Sequence, residues 1–144
     1  MGDGRDAEFA RVERIFPDTY RAHSAIPDRA KRYIQQAFAA LAQPDASVMM
    51  SSSAVDAMLK AKGFSQGSLY ERIQRATDDG VLTRVMKDWA DRVRLDANNV
   101  RHADEEEPHM TRNDAHRAFT FARSLSEFLF IIPSLMPDED GDMN

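Results

Sequence analysis

An antiparallel, all-α bundle of four or five helices is the fold this sequence predicts, and three observations carry it. Apolar residues recur at spacings of three and four through most of the 144-residue chain. Helix-start and helix-stop residues bracket each periodic stretch. No stretch alternates apolar and polar residues with the period of two that a half-buried strand requires.

Residues 1–7 are polar and are expected to be disordered. Phe9, Val12, Ile15 and Phe16 put apolar groups at spacings of three and four, which suggests a short helix limited by Pro17, with an extended arm as the alternative. Asp18 to Ala25 reads as a connector. Pro27 suits the first position of a helix, where its missing N–H breaks no bond. Ala30, Ile34, Ala37, Phe38 and Leu41 mark the buried face of that helix, and Pro44 closes it. The next helix is predicted from about Asp45 to Lys62, with Gly63 as its C-cap. Its stretch from Ala46 to Leu59 carries a single charge, Asp56, among small residues such as Ser51, Ser52, Ser53, Ala54 and Ala57. Small side chains let neighbouring backbones approach, which places this helix at the centre of the bundle.

Ser68-Leu-Tyr-Glu71 is a capping box opening a third helix, which Gly80 ends. Thr83 caps a fourth, running through Trp89 to about His102. Asp104-Glu-Glu-Glu-Pro108 stops it. Thr111-Arg-Asn-Asp114 opens a last helix with Ala115, Ala118, Phe119, Ala122, Leu125, Phe128, Leu129 and Ile132 on its inner face. The chain thus divides into a disordered N-terminus (1–7), one helical domain (8–136) and an acidic tail (137–144).

Composition narrows the function classes. There are no cysteines, which removes disulfides, thiolate zinc sites and a cysteine nucleophile, and suits a reducing cytoplasm. The longest apolar run, Phe128 to Met136, is too short to span a bilayer and is broken by Pro133, so no membrane partner is expected. Net charge is −5, and four acids of the tail (Asp138, Glu139, Asp140, Asp142) account for most of it. A global basic field of the kind that drives non-specific nucleic-acid binding is missing, so any nucleic-acid contact is local.

The densest candidate chemistry lies in Arg94-Leu-Asp-Ala-Asn-Asn-Val-Arg-His102. Steps of four residues bring Arg94, Asn98 and His102 near one face of a helix. They form a polar stripe beside the apolar stripe Val85, Trp89, Val93 and Ala97. The blander reading makes this a solvated or interhelical face, with Arg94 paired to Asp56 or a Glu and His102 favoured as a cation at the helix C-terminus. Asp56 reads either as exposed or as an internal partner of Arg94 or Arg92. Eight residues of helix rise about 12 Å, so a straight helix brings Arg94 and His102 together poorly. Either the helix unwinds near Asn98-Asn99, or a second protomer supplies the opposing group.

The order of several short motifs supports a family resemblance. Phe16-Pro17 and Ile26-Pro27 precede the small-residue helix. Ser68-Leu-Tyr-Glu-Arg-Ile73, Trp89-Ala-Asp-Arg-Val-Arg94, Asn98 and His102 follow, and Phe128-Leu-Phe-Ile-Ile-Pro133 closes the series. Over roughly residues 8 to 136 the chain resembles a bacterial domain-of-unknown-function family in the HEPN superfamily. That resemblance implies a metal-independent endoribonuclease of a toxin or phage-defence type, working as a homodimer without cofactor. Its partners would be RNA and an antitoxin or another defence protein. Arg94, Asn98 and His102 match the superfamily's catalytic positions, with Asp56 and Arg101 in support. Ser52 and Ser53 stand where relatives often carry arginines.

The chemistry suits these residue types. Cleaving RNA needs the ribose 2′-OH deprotonated and the leaving oxygen protonated, steps a histidine serves. A guanidinium stabilises charge on the phosphorane. Asn98 would orient the His or hold a phosphate oxygen. The competing function is a non-catalytic helical module that binds a partner protein or nucleic acid in a defence or restriction system. The spacing of His102, His109 and His116 suggests a metal site only superficially, because Pro108 breaks the helix between them and no recognised ligand spacing is present.

Overall fold

The computed structural model describes residues 20–102 and 109–137, and every regular element among them is helical. The helices are α1 (Asp28–Ala39), α2 (Pro44–Ala61), α3 (Leu69–Asp78), α4 (Arg84–His102) and α5 (Arg112–Ser126). A π turn (Glu127–Ile131) carries α5 into one last turn, α6 (Ile132–Leu135). The short helix or arm suggested at Phe9 to Phe16, the acidic run from Asp104 to Pro108 and the tail from Asp138 lie outside the described residues.

The bundle is built around α2, which packs against α1, α3, α4 and α5. Ser47, Val48, Ser51, Ser52, Ala54, Val55, Met58 and Leu59 are all buried, so α2 is covered on most of its circumference. Its small residues make that possible. The Ser47 hydroxyl donates to Ala37 O at 2.7 Å, tying α1 to α2, and Ser51 donates to Ser47 O at 2.8 Å. Both hydroxyls enter the core with their hydrogen bonds made, which avoids the cost of an unsatisfied buried polar group. Tyr20, Phe38 and Phe119 form an aromatic triangle with centroid separations of 5.5 to 5.7 Å. Burial there pushes the Tyr20 phenol up from its ordinary pKa.

Local signals set most boundaries. Gly63 (φ +99°) and Gly80 (φ +77°) adopt the left-handed conformation at the ends of α2 and α3. Each end closes with paired reverse bonds: Gly63 N to Lys60 O and Phe64 N to Leu59 O, then Gly80 N to Thr77 O and Val81 N to Ala76 O. This Schellman pattern satisfies the carbonyls a helix end leaves open. Thr111 makes a complete capping box with Asp114, and its backbone N–H holds the Asp114 carboxyl below the usual carboxylate range. At α3 the box is only half made. Ser68 accepts from Glu71 N, but Glu71 accepts from the Ser68 hydroxyl instead of its backbone N–H.

Several expectations need correction. Pro27 caps α1 from outside instead of occupying its first position, and Pro44 opens α2 instead of closing α1. Phe128 (42% exposed) and Ile132 (53%) face outward. Phe128 falls just outside the arc of buried residues on α5, and for Ile132 the π turn is the reason: its N–H donates to Glu127 O, five residues back. The extra residue per turn rotates the end of the helix away from the stripe that a 3.6-residue period predicts. On α4, Ala90, Val93 and Ala97 are buried as the core face, whereas Val85 is exposed. Trp89 lies at the rim, with one face on Phe121 (5.1 Å between centroids) and 36% of its surface exposed.

The run Arg112–Leu135 is long and apolar enough to cross a membrane by length and composition alone. Its α5 portion buries Ala115, Ala118, Phe119, Phe121, Ala122 and Leu125 in the bundle, which accounts for its apolar content without a bilayer.

This packing makes two outcomes measurable. Leu59→Ala should cost about 2–5 kcal/mol in urea unfolding, because a cavity opens against α2. Val85→Ala should stay within about 0.5 kcal/mol; equal losses would contradict the central position of α2. The second outcome concerns Asp45, at the start of α2. Its carboxyl is held below the ordinary range first by His109 Nδ1 at 3.0 Å and then by Met110 N–H, with burial opposing. A depressed carboxyl contributes its stability above its unfolded pKa near ~4 and loses it as pH falls through the folded value. Melting temperatures measured from neutral pH into acid should therefore fall less steeply for Asp45→Asn than for wild type.

Candidate functional site

Arg84 to His102 forms a single uninterrupted α-helix, so there is no unwinding at Asn98-Asn99. Arg94, Asn98 and Arg101 fall within an arc of about 60° on α4, and His102 lies just outside it. Asn98, Arg101 and His102 are exposed, and Arg94 is half-buried. The Arg94 Nε donates to Asp91 at 3.3 Å, and its guanidinium lies 5.1 Å from the centre of the Tyr70 ring of α3. Asp91 also receives Lys87 at 3.5 Å.

Magnitudes decide how firmly Arg94 is held. The Arg94–Asp91 pair is as shielded from solvent as Asp56–Arg72, but it is longer, 3.3 against 2.7 Å, and joins neighbours on one helix, where such pairs contribute about 0.3–0.5 kcal/mol. A cation over an exposed ring adds about 0.5–1 kcal/mol. Asp91 takes a single Nε hydrogen bond, long at 3.3 Å, whereas a phosphate offers the planar fork two parallel charge-assisted bonds, about 1.5–3 kcal/mol each at good geometry. A phosphate within reach therefore competes with both contacts.

Asp56 is placed differently from either expectation. It is three-quarters buried and pairs with Arg72 Nη1 of α3 at 2.7 Å and with Lys60 Nζ at 3.1 Å. Arg94 and Arg92 take intrahelical partners instead, Asp91 and Asp96. The physical reason is the packing of α3 on α2, which brings Arg72 over Asp56. Asp96 is raised above the ordinary carboxylate range by burial, with Arg92 opposing.

Asp56 and Arg101 share one cleft, at the junction of four helices. Arg29 from α1, Ser52, Asp56 and Lys60 from α2, Arg72 from α3 and Arg101 from α4 line it, together with Tyr33 and the other small residues of α2. Its volume is about 280 Å³. Arg94, Asn98 and His102 are not part of its lining. Sequence reasoning missed Arg29, Lys60 and Arg72 as site residues. Their spacings follow no helical period, and the nearest local hint was Asp56, alone in a helix of small residues. Among the described residues, no group of three His, Asp or Glu side chains converges as metal ligands would.

A family described as Domain of unknown function (DUF4145) matches residues 32–139. The chain belongs to that family. The DUF4145 region takes in α2 to α5 whole and α1 beyond its first turn, and so includes Asp56, Arg72, Arg94, Asn98, Arg101 and His102. Only Arg29, among the cations of the cleft, stands before it. No curated protein and no solved structure matches the chain.

In this DUF4145 domain the shorter pair that joins two helices, 2.7 Å, should couple more strongly than the local pair on α4, 3.3 Å. A double-mutant cycle of Asp56→Asn with Arg72→Gln should give about 1–2 kcal/mol, between exposed and fully buried pairs. The same cycle on Asp91 and Arg94 should give no more than about 0.5 kcal/mol.

Proposed function

We propose that this domain is a metal-independent endoribonuclease of a toxin or phage-defence type, working in the cytoplasm as a homodimer. The observation that carries the reading is the unbroken α4, whose last turns present Asn98 and His102 in the open while Arg94 is weakly held. The resemblance of this motif order to the HEPN superfamily supports the same chemistry. In this mechanism His102 moves a proton to or from the reacting ribose and leaving oxygens. Arg94, released from Asp91, neutralises charge building on the phosphorane. Asn98 orients the phosphate or the imidazole. Because α4 is unbroken, Arg94 and His102 stay about 12 Å apart along the axis of one protomer. A second copy with its α4 opposed closes that gap, which makes the dimer part of the mechanism.

A second reading has its own support. Arg94 is engaged within its own chain by Asp91 and Tyr70, and Val85, Trp89, Phe128, Ile132, Leu135 and Met136 expose apolar surface. These features suit a non-catalytic module that binds a partner protein or nucleic acid in a defence or restriction assembly.

The test is cleavage of total RNA in EDTA by wild type, His102→Ala and Arg94→Ala. His102→Ala should lose at least about 100-fold in rate, the usual contribution of a positioned acid or base. Its melting temperature should be unchanged, because His102 is exposed. Equal rates in wild type and His102→Ala would remove His102 from the mechanism. An inactive wild type would favour the binding module.

A further inference from the structure

The cleft between α1, α2, α3 and the end of α4 is strongly cationic in a chain whose net charge is −5. Arg29, Lys60, Arg72 and Arg101 face a single carboxylate, Asp56. Asp56 does more to hold than to neutralise: it fixes Arg72 at 2.7 Å and Lys60 at 3.1 Å, leaving a surplus of positive charge around it. No acid among the described residues lies within ion-pair distance of Arg29 or Arg101.

Arg72 supplies the second observation. Its Nε is buried and has no hydrogen-bond partner among the described residues. Burying a guanidinium N–H without an acceptor is unfavourable, and the group persists where an acceptor arrives. With Nη1 committed to Asp56 and Nε closed to solvent, Nη2 is the donor left for a phosphate oxygen, and a small shift of the side chain would let Nε complete a parallel pair. Ser52 adds a hydroxyl to the lining and, being small, leaves the space open. At about 280 Å³ the cleft sits near the lower bound of small-molecule sites, roughly 300 Å³.

We infer that this cleft is a phosphate-binding site, and that the phosphate belongs to the backbone of an oligonucleotide strand. An adjoining groove favours a strand over a free nucleotide. It shares Arg29 and Tyr33 with the cleft and continues along α1 past Arg32 and Gln36; its one acid, Asp28, lies 3.7 Å from Lys31, so Arg32 gives a second cationic position beside the first. The inference takes its polymer from the RNA reading, but it stands on residues other than Arg94, Asn98 and His102. Binding and cleavage therefore fail separately.

The test measures binding of a short fluorescent 2′-deoxy oligonucleotide, which lacks the hydroxyl that cleavage needs. Wild type should bind with strong salt dependence. Arg29→Glu combined with Arg101→Glu, both exposed positions, should weaken binding at least about tenfold and flatten the salt slope by about one. Arg84→Glu, about 25 Å away along α4, should leave affinity within about twofold. Pyrophosphate should compete and should shift the Arg72 Nε–H resonance in wild type but not in the double variant. Absence of binding by wild type, equal affinity in the double variant, or an equal loss in Arg84→Glu would overturn the site. Competition by oligoglutamate as effective as that by pyrophosphate would overturn its phosphate specificity. Adenosine monophosphate competing as well as an unlabelled strand would overturn the backbone assignment and leave a nucleotide site.

Discussion

Close approach to α2 is the constraint on which the rest of the structure depends. Four helices contact it, and they reach it because Ser47, Ser51, Ser52 and Ala54 keep its surface narrow. Hydroxyls are unusual in such a core, and Ser47 shows how one is tolerated. Its donor goes to the carbonyl of Ala37 on a neighbouring helix, so the polar group that would weaken the interior instead sets the register of α1 on α2. A larger residue at this crossing would separate the helices and open the cleft that their junction forms.

The candidate chemistry inherits its geometry from that hub. Asp56 is carried on the same helix, and α3 packs so that Arg72 falls on it. One carboxylate thereby organises two cations, while α1 and α4 bring two more, Arg29 and Arg101. The arrangement has the electrostatics of an anion site inside an acidic protein, where long-range attraction is weak and recognition depends on short contacts. α4 plays two parts at once. Its buried face of Ala90, Val93 and Ala97 locks it into the bundle, and its outer face carries the weakly held Arg94 and the exposed Asn98 and His102.

The balance of forces around Arg94 separates a resting contact from a committed one. An intrahelical ion pair and an aromatic neighbour orient the side chain without enough energy to withhold it from a phosphate. Arg72 is the contrast: its ion pair is shorter, 2.7 Å, and spans two helices, so removing it leaves a desolvated charge on a different element. The first arrangement suits a group that must exchange partners during a reaction, the second a group that must stay fixed while a ligand comes and goes.

The helices, their order and most of their ends were legible in the amino-acid sequence, because those features arise within a few residues. Thr111 and Asp114 cap each other three residues apart, Gly63 and Gly80 take conformations other residues resist, and the small residues of α2 announce its central position. Beyond that range local patterns fail. The outward turn of Ile132 comes from a π turn that a regular period does not anticipate. The partner of Asp56 and the meeting of Arg29, Lys60, Arg72 and Arg101 depend on how separate helices pack. Sequence by itself determined an all-α bundle with α2 at its centre and the polar stripe of α4, since these rest on near-neighbour geometry. Only the tertiary structure decided which charges face one another, because residues far apart in the chain meet only when the core brings their helices together.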